Sequence, residues 1–282
     1  MGERCGGTEG RNGSFNPLSV VLPIYDAANS SLSFAHALKI AYEAGGELEI
    51  IDVRTETEIT EQLGVRMLLE RWGILKSGSS RADVLNAGLR VKKIVKNGNK
   101  KKVILHRLNY HLHDLLVIGF NLHTGILPFL GSNLVEEILL SYSSPVLFVP
   151  AQSESFIRVE SGEAVLNNIV ITADDLIELR SAINAVKMLM KLFPAVQPEV
   201  KRVLAVNHKP AGLLDCSGIQ YREVKSEENR KKVLAGEQSA ECADLKIIAK
   251  KMGNFLQSKL RVLSILHILG NSSCPVFWIP IK

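Results

Sequence analysis

The segment Gly119-Phe-Asn121-Leu-His-Thr-Gly125-Ile-Leu-Pro-Phe-Leu-Gly131-Ser132-Asn133 has the residue types of an anion cradle. Glycines let a backbone come close to a phosphate, because no Cβ stands in the way. Gly131-Ser132 precedes an apolar helical pattern, and the free N–H groups and dipole of a helix start favour an anion. Two other segments end in residues suited to the same ligand. One closes on Pro23-Ile-Tyr25-Asp26 and the other on Asp52-Val53. In an open sheet with helices on both faces, ligands bind beyond the carboxyl ends of the strands, where the strand order reverses. The three segments are therefore expected to meet there, with Pro23, Tyr25, Asp26, Val53, Gly119, Asn121, Gly125, Gly131, Ser132 and Asn133 as the binding residues.

Other chemistry finds less support. His106, His111, His113 and Asp114 are residue types that hold metals. Their spacing, however, puts His106 and His111 on an amphipathic helix and Asp114 at the start of a buried strand, so no metal site is expected. There is no GxSxG elbow, no GxxxxGK[ST] loop and no Cys–His pairing signature. No catalytic set emerges. The four cysteines, Cys5, Cys216, Cys242 and Cys274, lack metal-type spacing, and Cys274 before Pro275 reads as a small buried hydrophobe.

The elements that must position the cradle alternate along the chain. Leu18–Ile24 is a β-branched run ended by Pro23 and Asp26. Asn29-Ser30-Ser31 offers capping side chains to a helix with Leu32, Ala35, Leu38 and Ala41 on one face, and Gly45-Gly46 stops it. Glu47–Val53 follows as a strand. Helical patterns cover Thr60–Leu75 and Ala82–Ala87, and Leu89–Val95 alternates as a half-exposed edge strand. A helix over Lys100–His111, a buried strand over Leu115–Ile118, a helix over Ser132–Tyr142 and the strand Val146–Val149 complete an α/β unit with a parallel sheet.

The second half repeats the first. His113-Asp-Leu-Leu-Val-Ile118 matches Ala243-Asp-Leu-Lys-Ile-Ile248 at an offset of 130 residues, and Ser144–Pro150 matches Cys274–Pro280 at the same offset. Asn168–Thr172 stands where Val20–Pro23 stood. Duplication on this scale decides an architecture. It implies a disordered tail over 1–16, a first domain over 17–151, a linker over 152–165 and a second domain over 166–282.

The pattern DLLVIGF…GSNLVEEILLSYSSPVLFVP, the opening VVLPIYD…ALKIAYEAGGELEIIDV and the internal repeat resemble the universal stress protein family in its tandem form. That resemblance implies two Rossmann-like, mostly parallel five-stranded sheets with helices on both faces. It also implies pairing of the domains through their last strands, which places Phe148 and Trp278 in or near the contact and removes an exposed edge. By function it implies a non-enzymatic stress-response or regulatory protein with ATP or a related nucleotide held weakly in the first domain, a protein partner, and a homodimer as a further assembly. The alternatives are a nucleotide-hydrolysing enzyme at the same site and a cytosolic partner of a membrane transporter. Family members that bind nucleotide carry G-x2-G-x9-G followed by Ser or Thr. Here Leu122 replaces the second glycine, the loop is one residue shorter, and Asp26 falls one residue late behind Tyr25. The second copy departs further, with Ala249, Phe255 and Arg261-Val262 at the glycine positions. Asp174 reads there as a capping residue, and Lys250, Lys251 and Arg261 remain as anion-binding candidates.

Composition narrows the setting. Hydrophobic residues make up 46% of the 282 and charged residues 22%, the balance of a globular protein. No apolar run is long enough to span a bilayer and residues 1–16 lack a signal-type apolar core, so a cytoplasmic protein without membrane insertion is expected. Residues 1–162 hold 17 Lys/Arg and 17 Asp/Glu, whereas 163–282 hold 17 and 12. The excess lies in short clusters without interleaved aromatics, which argues against a nucleic-acid partner.

Overall fold

A computed structural model describes residues 17–24, 30–54, 64–120, 133–152, 155–204, 219–225, 243–252 and 255–281. The first half runs β1 (Ser19–Ile24), α1 (Ser31–Glu43), β2 (Glu47–Arg54), α2 (Val65–Arg71), α3 (Arg81–Asn86), β3 (Arg90–Asn97), α4 (Lys100–Tyr110), β4 (Leu115–Phe120), α5 (Asn133–Ser141) and β5 (Val146–Pro150). The second runs β6 (Asn168–Thr172), α6 (Leu176–Leu192), β7 (Glu199–Leu204), β8 (Gln220–Lys225), β9 (Leu245–Lys251), α7 (Phe255–Gly270) and β10 (Val276–Ile281). Of the helix expected over Thr60–Leu75, α2 is the part inside the described residues together with the turn after it. The tail over 1–16 lies outside them.

The strands form one ten-stranded sheet in the order β3-β2-β1-β4-β5-β10-β9-β6-β7-β8. Within each half all neighbours are parallel, and the halves meet through the antiparallel pair β5–β10, with Val276 opposite Phe148 and Trp278 opposite Val146. The expected edge-to-edge pairing thus fuses the two five-stranded sheets into a single one. The halves repeat one register. Leu116 pairs with Val146 and Lys246 with Val276, while Val20 pairs with Leu115 and Ile169 with Leu245. Even the strand starts are pinned alike: Ser19 N donates to Asp114 Oδ2 at 2.8 Å, and Asn168 N donates to Asp244 Oδ2 at the same distance.

Alternation along the strands feeds two cores. On β2, Leu48 and Ile50 face the layer of α1, α2 and α6, whereas Ile51 and Val53 face α4, α5 and α7. Each fully buried aliphatic side chain contributes about 1.5–3 kcal/mol over its exposed state. α5 of one half packs on α7 of the other, extending the junction beyond the strands. Cys274, 1% exposed, is the buried hydrophobe expected.

Two local details differ from the sequence reading. Ser30 is the N-cap of α1 by position, but its side chain makes no cap bond, and Ser33 Oγ instead donates to Ser30 O at 3.0 Å. The helix does end as expected at Gly45, whose φ of +58° suits only glycine well, and a Cβ on Gly46 would meet Leu18 O at 2.0 Å. The stretch over 152–165, polar by composition, is partly built into the core. Phe156 and Ile157 are buried, Ile157 bridges to Ala164, and Trp72 Nε1 donates to Val159 O at 2.8 Å.

Candidate functional site

The reversal of strand order in the first half falls between β1 and β4, since β1 leads to β2 on one side and β4 lies on the other. Pro23, Val53 and Gly119 all reach the carboxyl edge of this part of the sheet. Ile24 stands beside Asp52, and Gly119 beside Val149. Val53 is 2% exposed and its side chain belongs to the core under α4 and α5. Phe120 closes β4 edge-on to Phe148, with ring centroids 6.3 Å apart. Asn133 opens α5. Tyr25, Asp26, Asn121, Gly125, Gly131 and Ser132 lie outside the described residues.

The electrostatics of this edge centre on Asp52, which with Asp26 is one of the two carboxylates that the sequence offers to hold a metal ion. Its carboxylate is buried and accepts from Arg54 Nη2 at 2.8 Å, Arg54 Nε at 3.1 Å and Lys93 Nζ at 3.0 Å. Burial alone would raise its pKa, but the hydrogen bonds and charges of Arg54 and Lys93 outweigh burial and hold it below the usual carboxylate range. Both cations are thereby committed to Asp52, and Asp52 to them.

One layer away, Glu49 anchors α4 to the sheet. Arg107 grips it with two hydrogen bonds of 2.6 and 2.7 Å, Lys92 approaches at 3.3 Å, and His113 Nε2 stands at 3.7 Å. Burial opposes the charge on Glu49, yet Arg107 and Lys92 keep its pKa lowered. His106 packs on Tyr110, and Asp114 serves the start of β1. The histidines and Asp114 are thus spent on separate structural tasks rather than converging on one point.

The corresponding edge of the second half has a different content. In register, Asp174 takes the position of Tyr25, Asp175 that of Asp26, and Lys250 that of Phe120. Here five charged side chains meet. Lys250 Nζ pairs with Asp174 and lies 3.4 Å from Glu178 Oε2. Lys251 Nζ donates to Asp175 at 2.6 Å, and Lys251 N donates to Glu178 Oε1 at 3.0 Å. Glu178 is 3% exposed and also accepts from Asp174 N at 2.7 Å. The capping role expected of Asp174 belongs to Asp175, which accepts from Ile177 N and Glu178 N. Lys250 and Lys251, candidates for an anion, are turned to carboxylates of their own chain. An anion arriving here would meet three carboxylates, so Coulomb repulsion opposes it. Lys250 and Lys251 are more than 70 residues from these carboxylates in sequence, so no local spacing signals the network.

Neither a protein-family model nor a curated protein matches the sequence. Solved structures do. A universal stress protein from Archaeoglobus fulgidus is similar over 93% of this chain and 96% of its own, at 15% identity and a TM-score of 0.55. A candidate universal stress protein from Pseudomonas aeruginosa matches over 93% of each chain, at 11% identity and a TM-score of 0.53. The cytoplasmic domain of a prokaryotic cation chloride cotransporter matches over 93% of this chain and 94% of its own, at 10% identity and a TM-score of 0.50. At such identities the likeness is one of fold. Over nearly its whole length this chain therefore carries the α/β fold found in universal stress protein structures, the family that its motifs resemble.

Proposed function

We propose that the chain is a non-enzymatic stress-response or regulatory protein of the universal stress protein type, acting in the cytoplasm through protein partners. Its first half, over 17–151, holds ATP or a related nucleotide weakly, and its second, over 166–282, is a structural and regulatory partner without a nucleotide. The observation that carries this reading is the contrast between the two carboxyl edges. In the first, Pro23, Val53 and Gly119 border the switch point, whereas in the second the Asp174–Lys250–Glu178–Lys251 network occupies it. Pro23, Tyr25, Asp26, Val53, Gly119, Asn121, Gly125, Gly131, Ser132 and Asn133 are the proposed nucleotide contacts. Hydrolysis would need a carboxylate to hold a metal ion. Of the two carboxylates at hand, Asp26 and Asp52, the second is already bound by Arg54 and Lys93, which supports binding without turnover.

A second reading rests on the likeness to the cotransporter's cytoplasmic domain, and makes the chain a regulatory partner of a membrane transporter. Among the described residues no helix is long and apolar enough to cross a membrane.

Mass spectrometry of the small molecules released on denaturing fresh protein, followed by thermal shift with ATP and Mg²⁺, tests the first reading. One adenine nucleotide per chain, lost in Gly131→Arg, is the expected result. No nucleotide and no shift at millimolar ATP would overturn the binding half, and phosphate release above background would overturn the non-enzymatic half.

A further inference from the structure

β3 ends the sheet, and among the described residues it has no strand on its outer side. Arg90 N donates to Gly46 O at 3.1 Å and Gly98 N to Arg54 O at 3.4 Å, so the even-numbered residues turn their backbone toward β2. By strand alternation Val91, Lys93, Val95 and Asn97 present their N–H and C=O groups outward. An unpaired row of this kind is a template for another strand.

Beside this edge, on the face of α2 and α3, runs an open groove of about 1020 Å³. Val84, Leu89 and Val91 form its apolar floor, and Leu85 and Met67 stand over it at 58% and 50% exposure. Among the described residues its lining also holds Arg66, Arg81, Arg90 and Lys93, and no acidic residue. Arg66 is bonded to Ser79 O and Lys93 to Asp52, but Arg81 and Arg90 are exposed and in no ion pair among the described residues. The sequence of β3 and α4 has the same sign. From Asp83 to Asp114 the chain carries eight Lys and Arg and no intervening Asp or Glu.

These features select an occupant. A nucleic-acid backbone would satisfy the cations but waste the apolar floor and the amide row. A second copy of β3 would set Arg90, Lys92, Lys93 and Lys96 against their like, which opposes self-pairing. An extended peptide satisfies all three features at once. We propose that the β3 edge and its groove receive an acidic, alternately apolar segment of a partner protein, which adds as an eleventh strand. Its apolar side chains cover Leu85 and Val91, its carboxylates fall on the opposite face beside Arg90 and Lys96, and its backbone pairs with Val91, Lys93 and Val95. Strand addition of this type takes affinity from the main chain and specificity from alternate side chains. No residue lining the groove is among the proposed nucleotide contacts, and the proposal does not rest on them.

The test uses the full chain and a fluorescein-labelled seven-residue peptide of alternating Glu and Val, followed by anisotropy at low and at moderate salt. Saturable binding at one peptide per chain is expected, with none for the Lys/Val counterpart. Arg90→Glu with Lys96→Glu is expected to weaken it about tenfold or more. Val95→Pro removes an outward N–H without touching the β2 ladder and should abolish it. If that variant fails to unfold cooperatively, Leu85→Asp at an exposed helical position replaces it, again with at least about tenfold weakening expected. Unchanged affinity in the proline or aspartate variant, or no saturation at millimolar peptide, would overturn the proposal. Decanoate displacing the peptide and binding the proline variant undiminished would reassign the groove to a small anionic amphiphile.

Discussion

Trp278 of β10 lies directly opposite Val146 of β5, in the antiparallel ladder that joins two parallel half-sheets. The indole is fully buried, among side chains of the α5 and α7 layer, and its Nε1 has no hydrogen-bond partner among the described residues. Truncation here removes the largest buried side chain at the junction and leaves a cavity. Trp278→Ala is expected to cost about 3–5 kcal/mol. Trp278→Phe should cost clearly less, because it keeps most of the ring and discards an unpaired N–H. Urea unfolding of both variants decides this. Equal losses would mean that the indole N–H is satisfied in the folded protein.

The charged network of the second half should weigh on stability in proportion to burial. Glu178 is buried and accepts from two backbone N–H groups and a lysine, whereas Asp174 is about half exposed. Glu178→Ala is expected to cost about 3 kcal/mol, because it strands two amides and leaves Lys250 with Asp174 alone among the described residues. Asp174→Asn should cost less than about 1 kcal/mol. Chemical denaturation at pH 7 compares them, and a larger loss for Asp174→Asn would refute the ranking.

His36 ties α1 to the segment between the halves. Nδ1 contacts Leu32 O at 2.8 Å, Nε2 faces Ser155 Oγ at 3.4 Å, and the ring stands edge-on to Phe156. Burial pulls its pKa from 6.5 down to about 4, only partly countered by the Leu32 carbonyl. Between those values the unfolded chain takes up a proton that the folded chain refuses. The contribution of His36 is therefore complete above about pH 6.5 and declines as pH falls toward 4, by about 3 kcal/mol in all. Urea midpoints at pH 7.5 and 4.5 should differ less in His36→Gln than in the parent chain. An identical pH dependence would show that the ring protonates freely in the fold.

Gly162 combines a positive φ of +67° with close packing, since a Cβ there would sit 2.4 Å from Trp72 Cδ2. Gly162→Ala is expected to lose about 2 kcal/mol or more through backbone strain and displacement of the indole. Thermal unfolding gives the size of the loss. A midpoint within one degree of the parent would mean that the 155–165 segment is not held against α2.

Much of the fold was legible because its signals are local. Alternation and β-branched runs marked strands such as Leu115–Ile118 and Val146–Val149, and the 130-residue offset between DLLVI and DLKII exposed the duplication. The resemblance to universal stress proteins implied the junction that β5 and β10 form. The burial of Phe156 and Ile157 was hidden, since a polar segment gives no periodic signal when only two of its side chains reach the core. Asp174 is the cap that the sequence suggests, but backbone geometry makes its neighbour Asp175 the acceptor for α6. The candidate site was readable as residue types near strand ends, but the mutual claims of Asp52, Arg54 and Lys93 were not, because β3 follows β2 by dozens of residues.

By itself the sequence determined the α/β class, the two-fold repetition and the strands whose ends border a site, because hydrophobic periodicity and internal similarity are properties of the chain read in order. Tertiary structure alone decided that ten strands make one sheet, that Lys250 and Lys251 answer to Asp174, Asp175 and Glu178, and that β3 is left with an open, cationic edge. Those outcomes depend on which distant residues come within a few ångströms of one another, and Coulomb and hydrogen-bond energies at that range are set by position rather than by composition.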